Sequence, residues 1–400
     1  MNAFIPSGSL SNPFPSGLLA PTGASAGLLT FAGRDIIFNN PNRSIPFVHS
    51  YSLGVQHQLP GNIVVDASFV GSRTNDVNTN DNQAGTARNL NVPTVQQLAQ
   101  AHQNSSFFTQ SVTNPFAGLL PGTNLNASTI SRRQLLLPYP QFGNVLEGGE
   151  SVGRVWYDAL QLDVHKRAGL GLTLDANYTW SKNLEALTFL NDQDPLPAKV
   201  LAAGDRPHRF VLSSVYQLPF GQGKQFANQI GKGWNSLIGG WEYNVLAIIQ
   251  SGTPLSLPGN FDLIGDASIG SQNFNQWFNG CELLLNGTTR APSADHKTFV
   301  TGCSNPVWSQ RDTATTLRTT PLRSSTIRNP WAKQWDMSLD KRFLFTEHLN
   351  AEFRLEAFNV FNTPIRPSPT NDPNNAQFGL VTLNQTNFPR QVQLGFKFNF

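Results

Sequence analysis

The last thirteen residues, Phe388 to Phe400, read F-P-R-Q-V-Q-L-G-F-K-F-N-F. Val392, Leu394, Phe396, Phe398 and Phe400 alternate with Gln391, Gln393, Gly395, Lys397 and Asn399. Successive side chains of a β-strand point to opposite faces, so this stretch is a strand with one apolar face, ending in three phenylalanines, and one polar face. A soluble strand sets such an apolar face on a core. A strand of a transmembrane barrel sets it in lipid and turns its polar face to a wet lumen.

Composition narrows the choice. The chain has 400 residues and no charge block or low-complexity linker to divide it. Charged residues are 13%, about half the usual share, while Asn, Gln, Ser and Thr are abundant. Aromatics reach 10%, with 28 Phe and 8 Trp. The net charge of +3 comes from scattered Lys and Arg without a basic stripe, which argues against a nucleic-acid partner. No apolar run approaches the roughly eighteen residues of a membrane helix. The mean hydropathy of −0.26 is low, but the lumen and loop residues of a barrel dilute hydropathy in the same way. Met1–Ala20 is rich in Pro, Ser and Gly, with no basic residue and no apolar segment of a signal peptide. For a barrel, which must cross the inner membrane, this leads to the expectation of an incomplete chain.

Period-two segments recur along the sequence and helical periodicity is scarce. The expected strands are Pro46–Leu59, Asn62–Arg73, Arg154–Lys166, Leu170–Ser181, Pro207–Leu218, Gly239–Ser251, Lys333–Phe345, Leu349–Phe361 and Phe388–Phe400. Nine strands of roughly 11–14 residues exceed the five or six usual in soluble proteins and match tilted membrane-spanning strands of about nine to eleven. Turns at Pro60-Gly61, Arg167-Ala168-Gly169 and Thr346-Glu347-His348, with a glycine-rich link Pro219–Ile238, alternate with long links at Asn75–Gly153, Lys182–Arg206, Gly252–Ala332 and Asn362–Asn387. Short periplasmic turns and long outer loops are the outer-membrane pattern. The predicted fold class is all-β: an antiparallel transmembrane β-barrel segment spanning residues 46–400, with long loops at 75–153 and 252–332 and an irregular extracellular segment at 1–45.

The alternation also assigns faces. Trp156, Leu160, Leu162 and Val164 oppose Tyr157, Gln161, Asp163 and His165; Leu170, Leu172, Leu174, Ala176, Tyr178 and Trp180 oppose Thr173, Asp175, Asn177 and Thr179. Ala351, Phe353, Leu355, Ala357 and Phe361 oppose Glu352, Arg354 and Glu356. Tyr178, Trp180, Trp331 and Trp335 fall at the loop end of the apolar sides, and Phe343 and Phe345 at the turn end, as interfacial aromatic girdles do. A soluble sandwich core is the alternative, but it gives no reason for polar faces that carry this much charge.

Ordered stretches then carry a resemblance. They are Ser50–Gln56 (S-Y-S-L-G-V-Q), Leu59-Pro60-Gly61-Asn62, Val70-Gly71-Ser72-Arg73, Tyr157-Asp158-Ala159-Leu160-Gln161, Asn177–Lys182 (N-Y-T-W-S-K) and Asp205–Phe210 (D-R-P-H-R-F). Gly239-Gly240-Trp241, Ser251-Gly252-Thr253-Pro254, Glu356–Asn362 (E-A-F-N-V-F-N) and the terminal strand follow. In this order the chain resembles the C-terminal barrel of TonB-dependent outer-membrane receptors, specifically the Oar-like group, which carries a carboxypeptidase-regulatory-like domain and a plug before the barrel. The resemblance implies a barrel of about 22 strands around a plug. Nine strands, with no visible plug or TonB-contacting segment, lead to the expectation of the C-terminal half of a receptor from a truncated or split gene. Counting back from a periplasmic Phe400 places Met1–Ile45 outside the cell. The resemblance further implies that Phe396, Phe398 and Phe400 form the C-terminal signal read by the barrel-insertion machinery, and that a plug outside this chain meets the TonB complex.

Cys281 and Cys303, the two cysteines, share one long loop in an oxidising location and are expected to form a disulfide worth roughly 3 kcal/mol by loop closure. Asp192 and Asp194 are close enough to suggest calcium but lack the distal Glu and Gly of an EF-hand, so a solvated loop is expected. His165 and His208 lack metal-ligand spacing and are assigned structural roles. Asp336, Asp340, Arg342, Glu352, Arg354 and Glu356 line the polar faces of one hairpin and are expected to form lumen-facing salt bridges between its neighbouring strands, with plug contact as the alternative. No G-x-S-x-G, H-E-x-x-H, P-loop or G-x-G-x-x-G motif occurs, so no catalytic, cofactor or metal residue is assigned and no enzyme is expected. The functional expectation is ligand binding by outer loops, with Asn75–Gly153 and Gly252–Ala332 as contacts, and energised transport across the outer membrane; a non-transporting adhesion protein or a passive porin-like channel are the alternatives.

Overall fold

The structure, a computed structural model, describes residues 11, 27–79, 87–169, 171–345 and 349–400. The expected turn at Thr346-Glu347-His348, Leu170 and most of the first 26 residues lie outside the described residues. Nine strands follow one another in an antiparallel meander, each paired with its neighbours in sequence. They are β1 (Phe47–Leu59), β2 (Ile63–Thr79), β3 (Glu150–Gly169), β4 (Leu172–Ala186), β5 (His208–Gln217), β6 (Trp241–Gln250), β7 (Ala332–Leu344), β8 (Asn350–Phe358) and β9 (Gln391–Asn399). Among the described residues the sheet does not close: within it β1 pairs only with β2, and β9 only with β8.

The register joins the apolar sides of the strands into one face. Leu53, Phe69, Leu160, Trp180 and His208 stand in one cross-strand row. Tyr243, Leu339, Leu355 and Leu394 form another, and Val245, Met337, Ala357 and Val392 a third. On the opposite face Asn244, Ser338, Glu356 and Gln393 are aligned. Among the described residues no second protein layer covers the apolar rows of the last strand: Val392 is 60% exposed, Leu394 70% and Phe396 60%. The largest fully buried apolar side chains, Trp308, Phe261, Phe278, Phe378 and Ile327, all belong to the long links. A sandwich would bury the sheet itself; here the sheet is a wall, and the protein core lies beside it.

Several boundaries run past the apolar alternation. β2 continues from Arg73 to Thr79, and β3 begins at Glu150, because Val77 pairs with Gly153 and Thr79 with Glu150 beyond a register shift. β4 reaches Ala186 because its pairing with β3 runs on to Arg154, and Val200-Leu201 pairs with Glu185 and Leu184 on the other edge. Backbone pairing needs no apolar period, so periodicity could not show these extensions. Residues 27–45 are not wholly irregular: Ile36–Asn39 forms a strand parallel to Val145–Gly148. The glycine-rich link after β5 contains a helix, Lys232–Ile238, whose Leu237 carbonyl accepts a 3.0 Å bond from the Trp241 indole N–H.

Lys341 departs from the face pattern. It shares the apolar face with Leu339 and Phe343, yet is 2% exposed. Its ammonium donates to the Gly239 carbonyl and lies 5.0 Å from the Trp241 ring centroid and 5.1 Å from that of Phe343. The stem covers apolar surface while the charge reaches the sheet rim, as long cationic side chains do at a membrane boundary.

Candidate functional site

The long links do not hang as separate loops. The link 251–331 folds into a small five-stranded sheet built from Phe261–Leu263, Trp308–Gln310, Glu282–Leu283, Thr289–Pro292 and Phe299–Thr301. Leu255, Leu257, Phe261, Phe278, Trp308 and Ile327 form its core, completed by Phe378 from the link 359–390. The Trp308 ring centroid lies 5.3 Å from that of Phe378 and 5.8 Å from that of Phe278. The link 80–149 carries α1 (Val95–Gln103), started by a Thr94–Gln97 capping box. Leu98 and Ala101 of α1 pack with Phe108 and with Leu317 from the other assembly.

Polar bridges fasten the links together. Arg88 bonds Glu150 at 3.1 Å and donates to the carbonyls of Asp192 at 3.0 Å and Asp194 at 2.7 Å. Asn191 exchanges bonds with the Arg318 backbone at 2.7 and 3.0 Å. Arg323 bonds Glu185 at 2.6 Å. The Asp192–Asp194 segment is therefore a clasp between links, where a solvated loop was expected; burial raises the Asp192 carboxyl above its usual range against the pull of the Asn89 N–H and Arg88. No cluster of metal-ligand side chains occurs among the described residues.

Stretches scattered in sequence converge at the junction of wall and loops. Asp205, 1% exposed, accepts from the Asn183 N–H and binds Arg328 at 2.7 Å. Arg206 donates to the Ser251 carbonyl at 2.7 Å, and Asn329 to the Thr253 hydroxyl at 2.7 Å. Gly252 is required here, since a Cβ would lie 1.7 Å from the Asn329 carbonyl oxygen. Thus Asp205-Arg206 and Ser251-Gly252-Thr253-Pro254 form a structural hinge post at the loop base. His208 stacks between Tyr178 and Trp331, with ring centroids 6.2 Å away on each side, and bonds the Tyr178 hydroxyl at 2.8 Å.

Cys281 and Cys303 are joined in a disulfide with a Cα separation of 6.0 Å. It borders a cavity of about 610 Å³ whose polar lining includes Asn273, Asn275, Gln276, Asn279, Ser304 and Asn305. Beside Cys281, Glu282 is fully buried and binds Arg290 at 2.8 Å, with Arg290 lying 4.0 Å from the Phe299 ring centroid. Burial pushes the Glu282 carboxyl up to about 7 despite Arg290. Sequence reading missed this pair, because nothing local distinguishes Glu282 from a surface residue. Removing the disulfide by Cys281→Ser is expected to cost the loop fold about 3 kcal/mol. Thiol labelling of the native protein should find neither cysteine reactive; full labelling of both would contradict the bridge.

The six charges of the β7–β8 hairpin share one face, but they do not pair as expected. Arg354 stands opposite Asp340 in register and instead bonds Glu352 on its own strand at 2.6 Å. Asp340 accepts from Asn244 at 2.5 Å and from Ser338 at 3.1 Å. Glu356 takes a bond from Gln393. Asp336 accepts the Asn359 N–H at 2.8 Å, fixing the bend where β8 ends. Arg342 stands opposite Glu352 in register. The short amide and hydroxyl partners stand closer than the opposing charges, so they take the carboxylates. Phe396 and Phe398 are paired edge to face 4.7 Å apart on the exposed β9, and Phe400 is fully exposed.

Among solved structures, the chain is similar to the pyoverdine outer-membrane receptor FpvA from Pseudomonas aeruginosa PAO1, at 9% identity and a TM-score of 0.37, covering 89% of this chain and 30% of that one. It is similar to the outer-membrane transporter YddB from Escherichia coli, at 10% identity and a TM-score of 0.41, covering 90% and 33%. The FrpB iron transporter from Neisseria meningitidis gives 11%, 0.36, 90% and 32%. The chain thus spans about a third of the length of these proteins. A search of curated proteins returns no match. The family model for the outer membrane beta barrel domain matches residues 2–393, nearly the whole chain. With a nine-stranded wall whose last strand leaves its apolar row exposed, this protein belongs to the outer membrane β-barrel domain family and resides in the outer membrane.

Proposed function

We propose that this chain is the barrel portion of a TonB-dependent receptor of the Oar-like group. Its long links face the cell exterior and hold a ligand, and the intact protein carries that ligand inward. The observation that supports this reading is the loop assembly: three long links share cores, and the fourth, 187–207, is tied to them by the Asp205–Arg328 ion pair and by bonds to Arg88, all at one end of the wall. A passive wall has no need of a packed, disulfide-bonded loop domain. The amide-lined cavity beside Cys281–Cys303 is the leading ligand-contact region within the expected 252–332 loop. The chain does no bond-making chemistry in this reading. The charges of β7 and β8 face the lumen, and TonB acts through a plug outside this sequence.

The test is the intact mass and N-terminal sequence of the natural protein from an outer-membrane fraction, together with TonB-dependent uptake by the cells. A mass well above 43.9 kDa with a plug before the barrel supports the reading. A plug-free mature protein would rule out TonB-driven transport. Phe396, Phe398 and Phe400 serve as the assembly signal in the same proposal. Deleting Phe400 is expected to lower the outer-membrane yield several-fold, read as the heat-modifiable fraction on gels; an unchanged yield would remove that role.

A further inference from the structure

One large cavity lies between the wall and the base of the loops. It measures about 870 Å³ and sits at the loop end of β3 and β4. Its wall is formed by Phe69, Leu160 and Trp180, the apolar-face row already described, and its upper lining is formed by Lys182, Lys199 and the loop residue Arg323. The surface is mainly apolar, and Trp180 is 57% exposed in it. Lys182 lies two residues beyond Trp180 on the same face, about 7 Å further along the strand. An apolar floor therefore passes into a cationic rim at the loop end of the wall.

The charges decide what fits. Asp158 lines the cavity but is held by Arg73 through two 2.8 Å bonds, with the Tyr51 hydroxyl donating at 2.9 Å. Asp205 is neutralised by Arg328 and Arg323 by Glu185. Lys182 has no ion-pair partner among the described residues, although it faces Asp158 in register. Lys199 has no carboxylate partner there either, and its ammonium rests 4.5 Å from the Trp156 ring centroid. Both lysines are exposed. Two uncompensated cations above an apolar cavity, continuous with the lipid-facing rows of the wall, are complementary to an anion that carries hydrocarbon.

We propose that this cavity holds a phosphorylated acyl lipid of the outer leaflet. Lys182 and Lys199 bind the phosphate, and the acyl chains lie along Phe69, Leu160 and Trp180. The inference rests on the orientation proposed above, with the long links outside. It does not depend on TonB or on the loop ligand. Phosphate contacts to two lysines are point-charge interactions, so arginine should substitute for lysine, and glutamine should not.

The experiment uses the natural protein extracted in detergent and delipidated. Its probes are a diphosphorylated acylated glucosamine disaccharide lipid, a zwitterionic phosphatidylcholine and inorganic phosphate. Retention per chain is read by native mass spectrometry, and folding of each variant by its heat-modifiable gel shift. The expected result is about one phosphorylated lipid retained per chain. The expected K182Q/K199Q retention is at least tenfold lower, and K182R/K199R restores it. Phosphatidylcholine and inorganic phosphate should not be retained. Equal retention by K182Q/K199Q in a folded protein would overturn the proposal. So would retention of phosphatidylcholine as well as the phosphorylated lipid, or of inorganic phosphate alone. A failed gel shift in the wild type would instead count against the outer-membrane barrel reading.

Discussion

Trp308→Ala is expected to open the loop domain while leaving the wall intact. Trp308 is fully buried, packs on Phe278 and Phe378, and donates its indole N–H to the Asn279 carbonyl at 2.7 Å. Its strand pairs antiparallel with Phe261–Leu263 and parallel with Glu282–Leu283, so it is an interior strand of the small sheet. Truncating a buried Trp costs about 3–5 kcal/mol. The residues of this core lie in the long links, so the loss is local. Hydrogen exchange should show faster exchange across 252–328 and no change in β2 to β5. Limited proteolysis should cut within the same span. Unchanged protection there would mean that the loop domain is not held by this core.

The second large effect concerns Glu282 and Arg290. A buried carboxylate that loses its cation costs about 3–5 kcal/mol, because the remaining charge is stranded. Arg290→Met is therefore expected to destabilise the loop domain by that amount at pH 8, and by much less at pH 5, where the carboxyl takes a proton. The wild type has a milder form of the same dependence. Burial raises the folded-state value from 4.5 to about 7, so the folded loop binds the proton more tightly than the unfolded one. The associated stability is full below about pH 4.5 and is lost as the pH rises through 7, up to about 3 kcal/mol. Glu282→Gln removes the titration, and its loop stability should become flat across this range. Local stability from hydrogen exchange at pH 5 and pH 8 reads all three proteins. Wild-type loops more stable at pH 8 than at pH 5 would reverse the sign and refute the account.

How much was legible depended on whether a signal is local. Strand count, face assignment and the alternation of turns with long links all follow from period-two patterning, and the register joins those faces as the pattern requires. The D-R-P-H and S-G-T-P stretches stood out in the sequence only as marks of resemblance. In the fold they meet: Asp205, Ser251, Gly252 and Arg328 lock the loops to the wall. The hairpin charges were placed on the correct strands, but their partners were not, since Arg354 takes its own strand's Glu352 and Asp340 takes an amide.

The sequence by itself determined a long-stranded antiparallel wall with an apolar and a polar face, because side-chain alternation is a property of each strand alone. The tertiary structure decided that the long links share cores, that Glu282 is buried beside Arg290, and that Lys182 and Lys199 rim one cavity. Those contacts join residues far apart in the chain, and Glu185 to Arg323 alone spans 138 positions. A strand's periodicity reports which way each side chain points. Burial and charge pairing depend on what arrives from elsewhere in the chain, and only the folded arrangement supplies that.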